Sequence, residues 1–290
     1  MSAPIPIASP KVGPSPELAL QTKRIIPSIL FTTPAHTLSE YFNATHETTG
    51  LFRLGPRVAN FPNLPPTTVR VINSDTFNAA ISLLSQNPTK RVCVLNLANQ
   101  FQPGGGWLAG AWAQEEQLCY RSTLSSALST QYYPMQDVAA IYSPAVAIFR
   151  TAAPEYKLYS EFTPPRAPEI VSVITMAAKV CRPWDVDASG TGYKDPRDRK
   201  LMVEKIRMIL RISGRKGERR LVLGALGCGA FGNPPLAIAG IWKEVLREDE
   251  FAGWWEEVVF AVYVPKKWDE RALANLNVFT QVLDGLRLGG

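Results

Sequence analysis

From residue 69 onward, short β-branched apolar runs alternate with stretches of helical spacing. Strands are predicted over 69–72, 91–97, 146–150, 170–176, 221–226 and 258–264, and helices over 76–86, 114–128, 197–213 and 235–248. A last helix over 269–286 places Leu273, Leu276, Phe279, Leu283 and Leu286 at amphipathic spacing. This alternation is that of an α/β sheet of about six strands covered by helices on both faces. Two earlier segments, 16–26 and 37–47, have helical spacing and lead into a proline-rich connection at 61–66. The predicted organisation is a disordered tail over 1–16, an N-terminal accessory helical segment over 17–68, and a main domain over 69–288. A proline-rich loop falls at 152–168 and a polar Gly/Asp loop at 183–198.

Composition narrows the class. The chain has 290 residues, 46% hydrophobic and 19% charged, which fits a packed protein and not a disordered one. Lys plus Arg exceed Asp plus Glu by 31 to 25, a formal charge of +6 that favours anionic partners. Cys93, Cys119, Cys181 and Cys228 form no C-x-x-C pair, so reduced thiols in a cytoplasmic or nuclear compartment are expected. His36 and His46 lack metal-ligand spacing, and no metal or cofactor is expected. No run approaches the roughly 20 apolar residues that span a bilayer. The first residues, with Pro4, Pro6, Pro10, Pro14 and Pro16, lack the apolar core of a signal peptide.

Two segments carry candidate chemistry. The first is Leu95-Asn-Leu-Ala-Asn-Gln-Phe-Gln-Pro-Gly-Gly-Gly106, followed after seven residues by Gln114-Glu-Glu116. An apolar strand ends in amides such as Asn99, and Gly104, Gly105 and Gly106 permit positive φ and close backbone approach. Glu115 and Glu116 open a helix, where unpaired N–H groups favour acidic residues. Adjacent residues do not share a helix face, so the two carboxylates should differ in role, one holding substrate and the other transferring a proton. Burial and mutual repulsion would raise the pKa of one of them and the helix terminus would lower it; the sequence leaves the balance open.

The second is Leu221-Val-Leu-Gly-Ala-Leu-Gly-Cys-Gly-Ala-Phe-Gly-Asn-Pro-Pro235. A strand that runs into glycines and then a helix directs several backbone N–H groups at one spot, which suits a diphosphate. Phe231 either covers a ribose or plugs the core. Gly227-x-Gly229-x-x-Gly232 also fits the dinucleotide fingerprint. However, only one helix's length of chain follows the next strand, and Glu248, Asp249 and Glu250 fall at a helix end, so a nicotinamide enzyme is disfavoured.

The Gly104–Gly106 and Gln114–Glu116 spacing resembles the signature of poly(ADP-ribose) glycohydrolases. The segment from Leu223 to Pro234 resembles the diphosphate loop of their microbial-type branch. Leu118-Cys-Tyr-Arg-Ser-Thr-Leu124, Ile141-Tyr-Ser-Pro144 and Phe149-Arg150 are also similar. The likeness runs from about residue 69 to 264 and is weaker before it. It departs at Thr151, where an acidic residue is expected, and in Ile174-Thr-Met-Ala-Ala178, which lacks a proline.

The resemblance implies a three-layer α/β/α macrodomain-like sandwich around a mixed sheet, with ADP-ribose across its crest. It further implies Glu116 as acid/base, Glu115 on hydroxyls of the distal ribose, Gln114 ordering the loop, and Asn99 with Gly104, Gly105 and Gly106 lining the ribose pocket. Gly227, Cys228, Gly229, Ala230, Phe231, Gly232 and Asn233 would wrap the diphosphate. The substrate would be poly(ADP-ribose) or ADP-ribosylated proteins, cleaved at the ribose–ribose O-glycosidic bond by a monomer without sequence-specific nucleic-acid or membrane partners. A non-catalytic ADP-ribose reader would share the fold but would not require the Glu115–Glu116 pair. Nucleic-acid binding through Arg211, Arg215, Lys216, Arg219 and Arg220 is a third reading, beside the plainer one of a solvated helix end and turn.

Overall fold

A strand whose successive residues are all apolar must be covered on two sides. The computed structural model describes residues 14–43, 54–55, 58, 60–266 and 269–289; residues 1–13 of the expected tail, and His46, lie outside them. Its strands are β1 (Glu40–Asn43), β2 (Thr67–Ile72), β3 (Cys93–Leu97), β4 (Ala139–Ile148), β5 (Glu169–Met176), β6 (Arg220–Leu223), β7 (Glu257–Ala261) and β8 (Arg287–Leu288). They form one sheet in the order β1-β4-β5-β3-β6-β7-β2-β8. The five strands from β5 to β2 are parallel, while β4 with β1, β4 with β5, and β8 with β2 pair antiparallel.

Helices α1 (Pro16–Thr32), α2 (Thr76–Gln86), α3 (Gln114–Arg121) and α4 (Leu124–Ala127) contribute to one apolar core. Helices α5 (Pro196–Arg215), α6 (Pro235–Leu246) and α7 (Glu270–Leu283) contribute to another. The strands feed both by their two-residue period. Val94, Val222 and Val259 enter the first core, and Leu95, Leu223 and Phe260 the second. The expected three-layer α/β/α macrodomain-like sandwich is the observed fold.

Several elements differ from the sequence reading. The helix predicted over 37–47 is, in its described part, strand β1, whose residues pair with β4 and whose Tyr41 stacks on Tyr132 at 5.2 Å. With β8, this makes eight strands where six were expected. Strand β4 starts before residue 146 because Pro144, which cannot donate to a ladder, sits in a bulge where the register shifts between Ser143 and Val146. The helix predicted over 114–128 breaks at Ser122 and Thr123. The Ser122 hydroxyl donates back to the carbonyl of Leu118, and the Thr123 backbone and hydroxyl pair with Ala147 of β4. Within the accessory segment, helix α1 packs on the layers. Leu18 and Ala19 of α1 are buried, and the Thr22 hydroxyl donates to the carbonyl of Tyr120 at 3.0 Å.

Candidate active site at the strand ends

Parallel strands deliver their following loops to one edge of a sheet, and a ligand crevice forms where those loops diverge. Here β3 and β6 are neighbours, so the loop after Leu97 and the loop after Leu223 leave side by side.

Helix α3 starts directly behind the glycine loop. Its first residue, Gln114, closes the end of β3: Oε1 accepts from the N–H of Leu97 at 2.8 Å, and Nε2 donates to the carbonyl of Leu95 at 2.8 Å and to Thr76 Oγ1 at 3.0 Å. Glu115 points inward and is buried. Its Oε2 accepts from the N–H of Asn99 at 2.6 Å and its Oε1 from Asn96 Nδ2 at 3.1 Å. Burial pushes its carboxyl from the usual 4.5 up to about 7, against the lowering effect of those donors, and the neighbouring Glu116 adds to the rise. The balance left open by the sequence falls, for Glu115, to desolvation. Glu116 is held by two main-chain donors, Gly106 N–H on Oε1 at 2.8 Å and Ala113 N–H on Oε2 at 2.9 Å.

The three glycines are required by what touches them. A methyl on Gly105, at φ +56°, would overlap Glu116 Oε1 and lie 3.1 Å from Glu115 Oε2. One on Gly104 would meet Trp107 at 2.8 Å, and one on Gly106 would meet Ala111 at 2.8 Å. The close approach is therefore between backbone and the carboxylate pair. Asn99 turns the loop, its Oδ1 accepting from the N–H groups of Phe101 and Gln102.

In the β6 loop, the N–H groups of Gly229, Ala230 and Phe231 have no acceptor among the described residues. Arg271, in the first turn of α7, donates from Nη2 to the carbonyls of Cys228 and Gly229. A planar trans peptide points its N–H opposite to its C=O. Holding those two carbonyls thus directs the N–H groups of Gly229 and Ala230 the other way. The result is a nest of main-chain donors, a geometry that can hold an anion.

Both segments line one cavity of about 210 Å³. Asn99, Gln114, Glu115 and Glu116 come from one side, and Gly227, Gly229, Ala230 and Phe231 from the other. A carboxylate pair thus shares a crevice with a nest of main-chain donors. The family model for the microbial-type poly(ADP-ribose) glycohydrolase (PARG) catalytic domain matches residues 19–151. Among solved structures, poly(ADP-ribose) glycohydrolase from Thermomonospora curvata aligns at 28% identity and TM-score 0.73, over 91% of this chain and 98% of its own. The same bacterium's enzyme bound to the inhibitor ADP-HPD aligns at 26% and 0.70, over 92% and 98%. The Deinococcus radiodurans enzyme in complex with ADP-ribose aligns at 29% and 0.67, over 86% and 95%. No curated protein matches the chain.

Over residues 19–151 the chain matches the microbial-type poly(ADP-ribose) glycohydrolase catalytic domain, and it shares the fold of the bacterial enzymes.

Within this glycohydrolase site not every residue singled out from the sequence faces the cavity. Gly104, Gly105 and Gly106 lie beneath the carboxylates. Cys228 and Asn233 are buried, and the N–H groups of Cys228, Gly232 and Asn233 are spent inside the loop on Ala225, Gly229 and Gly227. Asn233 braces the loop from behind. Its Nδ2 donates to the carbonyls of Lys179 at 2.7 Å and Gly227 at 3.2 Å, and its Oδ1 accepts from the Tyr193 hydroxyl at 2.6 Å. The 183–198 loop, which supplies Tyr193, thereby supports the nest.

A larger cavity opens beside the first and shares Leu97, Gln114, Gly229 and Ala230 with it. Asp75, Trp112, Gln117, Tyr263, Arg271 and Asn275 extend its lining. Sequence reasoning missed these residues because they come from four separate segments of ordinary pattern; half-exposed Trp112, beside the glycine loop, was the available signal. Much of the basic cluster is engaged within the protein and is not simply a solvated helix end. Arg211 and Arg220 are buried against Glu250 and Glu257, Lys216 pairs with Glu40, and Arg219 covers Trp254. Among the described residues no group of His, Cys, Asp and Glu could hold a metal, and no helix is long and apolar enough to cross a membrane.

Proposed function

We propose that this protein hydrolyses the ribose–ribose O-glycosidic bond of poly(ADP-ribose) and releases ADP-ribose, with Glu116 as its acid/base. The observation that carries this reading is the single cavity shared by the carboxylate pair and the main-chain nest. The diphosphate of the terminal unit sits on the N–H groups of Gly229, Ala230 and Phe231, and its adenosine extends into the adjoining larger cavity. This seats the distal ribose between Phe231 and the glutamates. Glu115 and Asn99 hold its hydroxyls.

Glu116, fixed by Gly106 and Ala113, delivers its proton to the oxygen of the leaving ribose as the bond to the anomeric carbon breaks. The resulting oxocarbenium character is favoured by the adjacent diphosphate and by Glu115. Glu116, now a carboxylate, takes a proton from water as the water oxygen attacks that carbon, which restores the acid. Residues 69–288 form the catalytic body, and α1 of the accessory segment packs on the turn that follows its glycine loop. The site is complete in one chain, so a monomer suffices. Four buried free thiols suit a reducing cytoplasmic or nuclear setting.

The test is release of ADP-ribose from poly(ADP-ribosyl)ated protein by the wild type beside Glu116→Ala. A loss of about 10³-fold or more with retained ADP-ribose binding is expected, in line with removal of a positioned acid. Equal release by the two proteins would remove Glu116 from its role. Binding without release by either would make the protein a reader.

A further inference from the structure

A polar side chain in the middle of a central strand is costly to bury unless its hydrogen bonds are made. Asn96 of β3 is fully shielded and lies on the same sheet face as Val94, beneath α3. The strand register places it beside Thr175 of β5. Asn96 Nδ2 donates to Glu115 Oε1 at 3.1 Å and to Thr175 Oγ1 at 3.2 Å, while its Oδ1, equally buried, has no partner among the described residues.

If only a donor were needed here, leaving the carbonyl end unused would be a poor solution. The two ends of an amide have nearly the same shape, and a half-turn about its last torsion exchanges them. With Oδ1 turned forward, the same position accepts hydrogen bonds instead, one from a protonated Glu115 and one from the Thr175 hydroxyl.

We infer that Asn96 is a positioning residue that serves Glu115 in both of its protonation states, donating to the carboxylate more strongly than it accepts from the acid. This rests on the reading of Glu115 as the carboxyl that holds the distal ribose. The other titratable groups that face Glu115 are Glu116 and the buried Cys119 thiol, both on α3, and the Tyr133 hydroxyl from the loop before β4. Main-chain N–H groups of Asn99 and Gly104 complete its surroundings. None of the three titratable groups carries a positive charge, so Asn96 is the side chain that stabilises the ionised form. Through it, Glu115 can gain or lose a proton without its carboxyl leaving the ribose.

The experiment follows the carbon-13 carboxyl resonance of Glu115 in the full chain between pH 4 and 9, assigned by its disappearance in Glu115→Gln. Asn96→Leu, of similar shape but without donors, should raise the titration midpoint by about one pH unit, a roughly tenfold tighter hold on the proton. The Glu115-governed limb of the cleavage profile should move with it. Thr175→Val, which frees the amide plane, should shift the midpoint the same way but less, and Thr175→Ser should restore it. If Asn96→Leu does not fold, the Thr175 pair decides. Midpoints unchanged from wild type in every folded variant, including variants that are merely less stable, overturn the inference. A wild type that cleaves no polymer would sink the proposed activity but leave this resonance readable, so the two failures are distinguishable.

Discussion

At the scale of single residues, the neighbouring glutamates have opposite surroundings. Glu115 turns into the protein, where burial raises its pKa to about 7; Glu116 turns toward the glycine loop and is pinned by two N–H groups. The sign for stability follows from linkage. The folded protein holds the Glu115 proton more tightly than the unfolded chain, whose value is near 4.5. The associated stability is fully present below that value and is lost as pH rises through about 7. The loss amounts to about 3 kcal/mol. Glu115→Gln should therefore melt higher than wild type at pH 8 by several degrees and show little advantage at pH 4, as read by thermal unfolding across that range. The presence of both glutamates and the loop glycines was legible in the sequence, since their spacing is local. That Glu115 would be the carboxyl with the raised pKa was not, because its surroundings depend on Asn96 and Thr175, which the register brings together from 79 positions apart.

At the scale of elements, the β6 loop works because glycines at φ +75° (Gly227) and +71° (Gly232) turn its backbone at both ends. Gly227→Ala would strain a left-handed residue by about 1–2 kcal/mol. It would also press a methyl to 2.6 Å from the Ala178 side chain and onto Asn233. The expected result is a folded protein that binds ADP-ribose about tenfold or more weakly, measured by calorimetry. Unchanged affinity would mean that the loop does not hold the diphosphate. The strand–glycine–helix order of this segment was evident in the sequence because all its parts are contiguous. The clamp by Arg271 was not, since Arg271 reads as one more polar position at the start of an amphipathic helix. Strand β1 was read as a helix because the 37–47 run fits helical spacing and four strand residues are too few to show an alternation, and only pairing with β4 makes it a strand.

At the scale of the whole molecule, the basic cluster singled out in the sequence is largely engaged at home. Arg211, Lys216 and Arg220 have acidic partners, and Arg219 lies on Trp254. Replacing Arg215 and Lys216 by glutamine should leave affinity for the polymer within about twofold and its salt slope unaltered. Arg271→Gln should weaken binding about tenfold at the same ionic strength. A clear loss in the first pair would return the polyanion to that face. The strand order has a further consequence. The terminal strands β1 and β8 form the two borders of the sheet, whereas β3 and β6, which deliver the carboxylates and the nest, lie at its centre. Amide hydrogen exchange should therefore be fastest along the borders and limited by global unfolding at the centre. A mutation that loosens the rim would cost stability first, and the two halves of the active centre would fail together only when the entire chain opens.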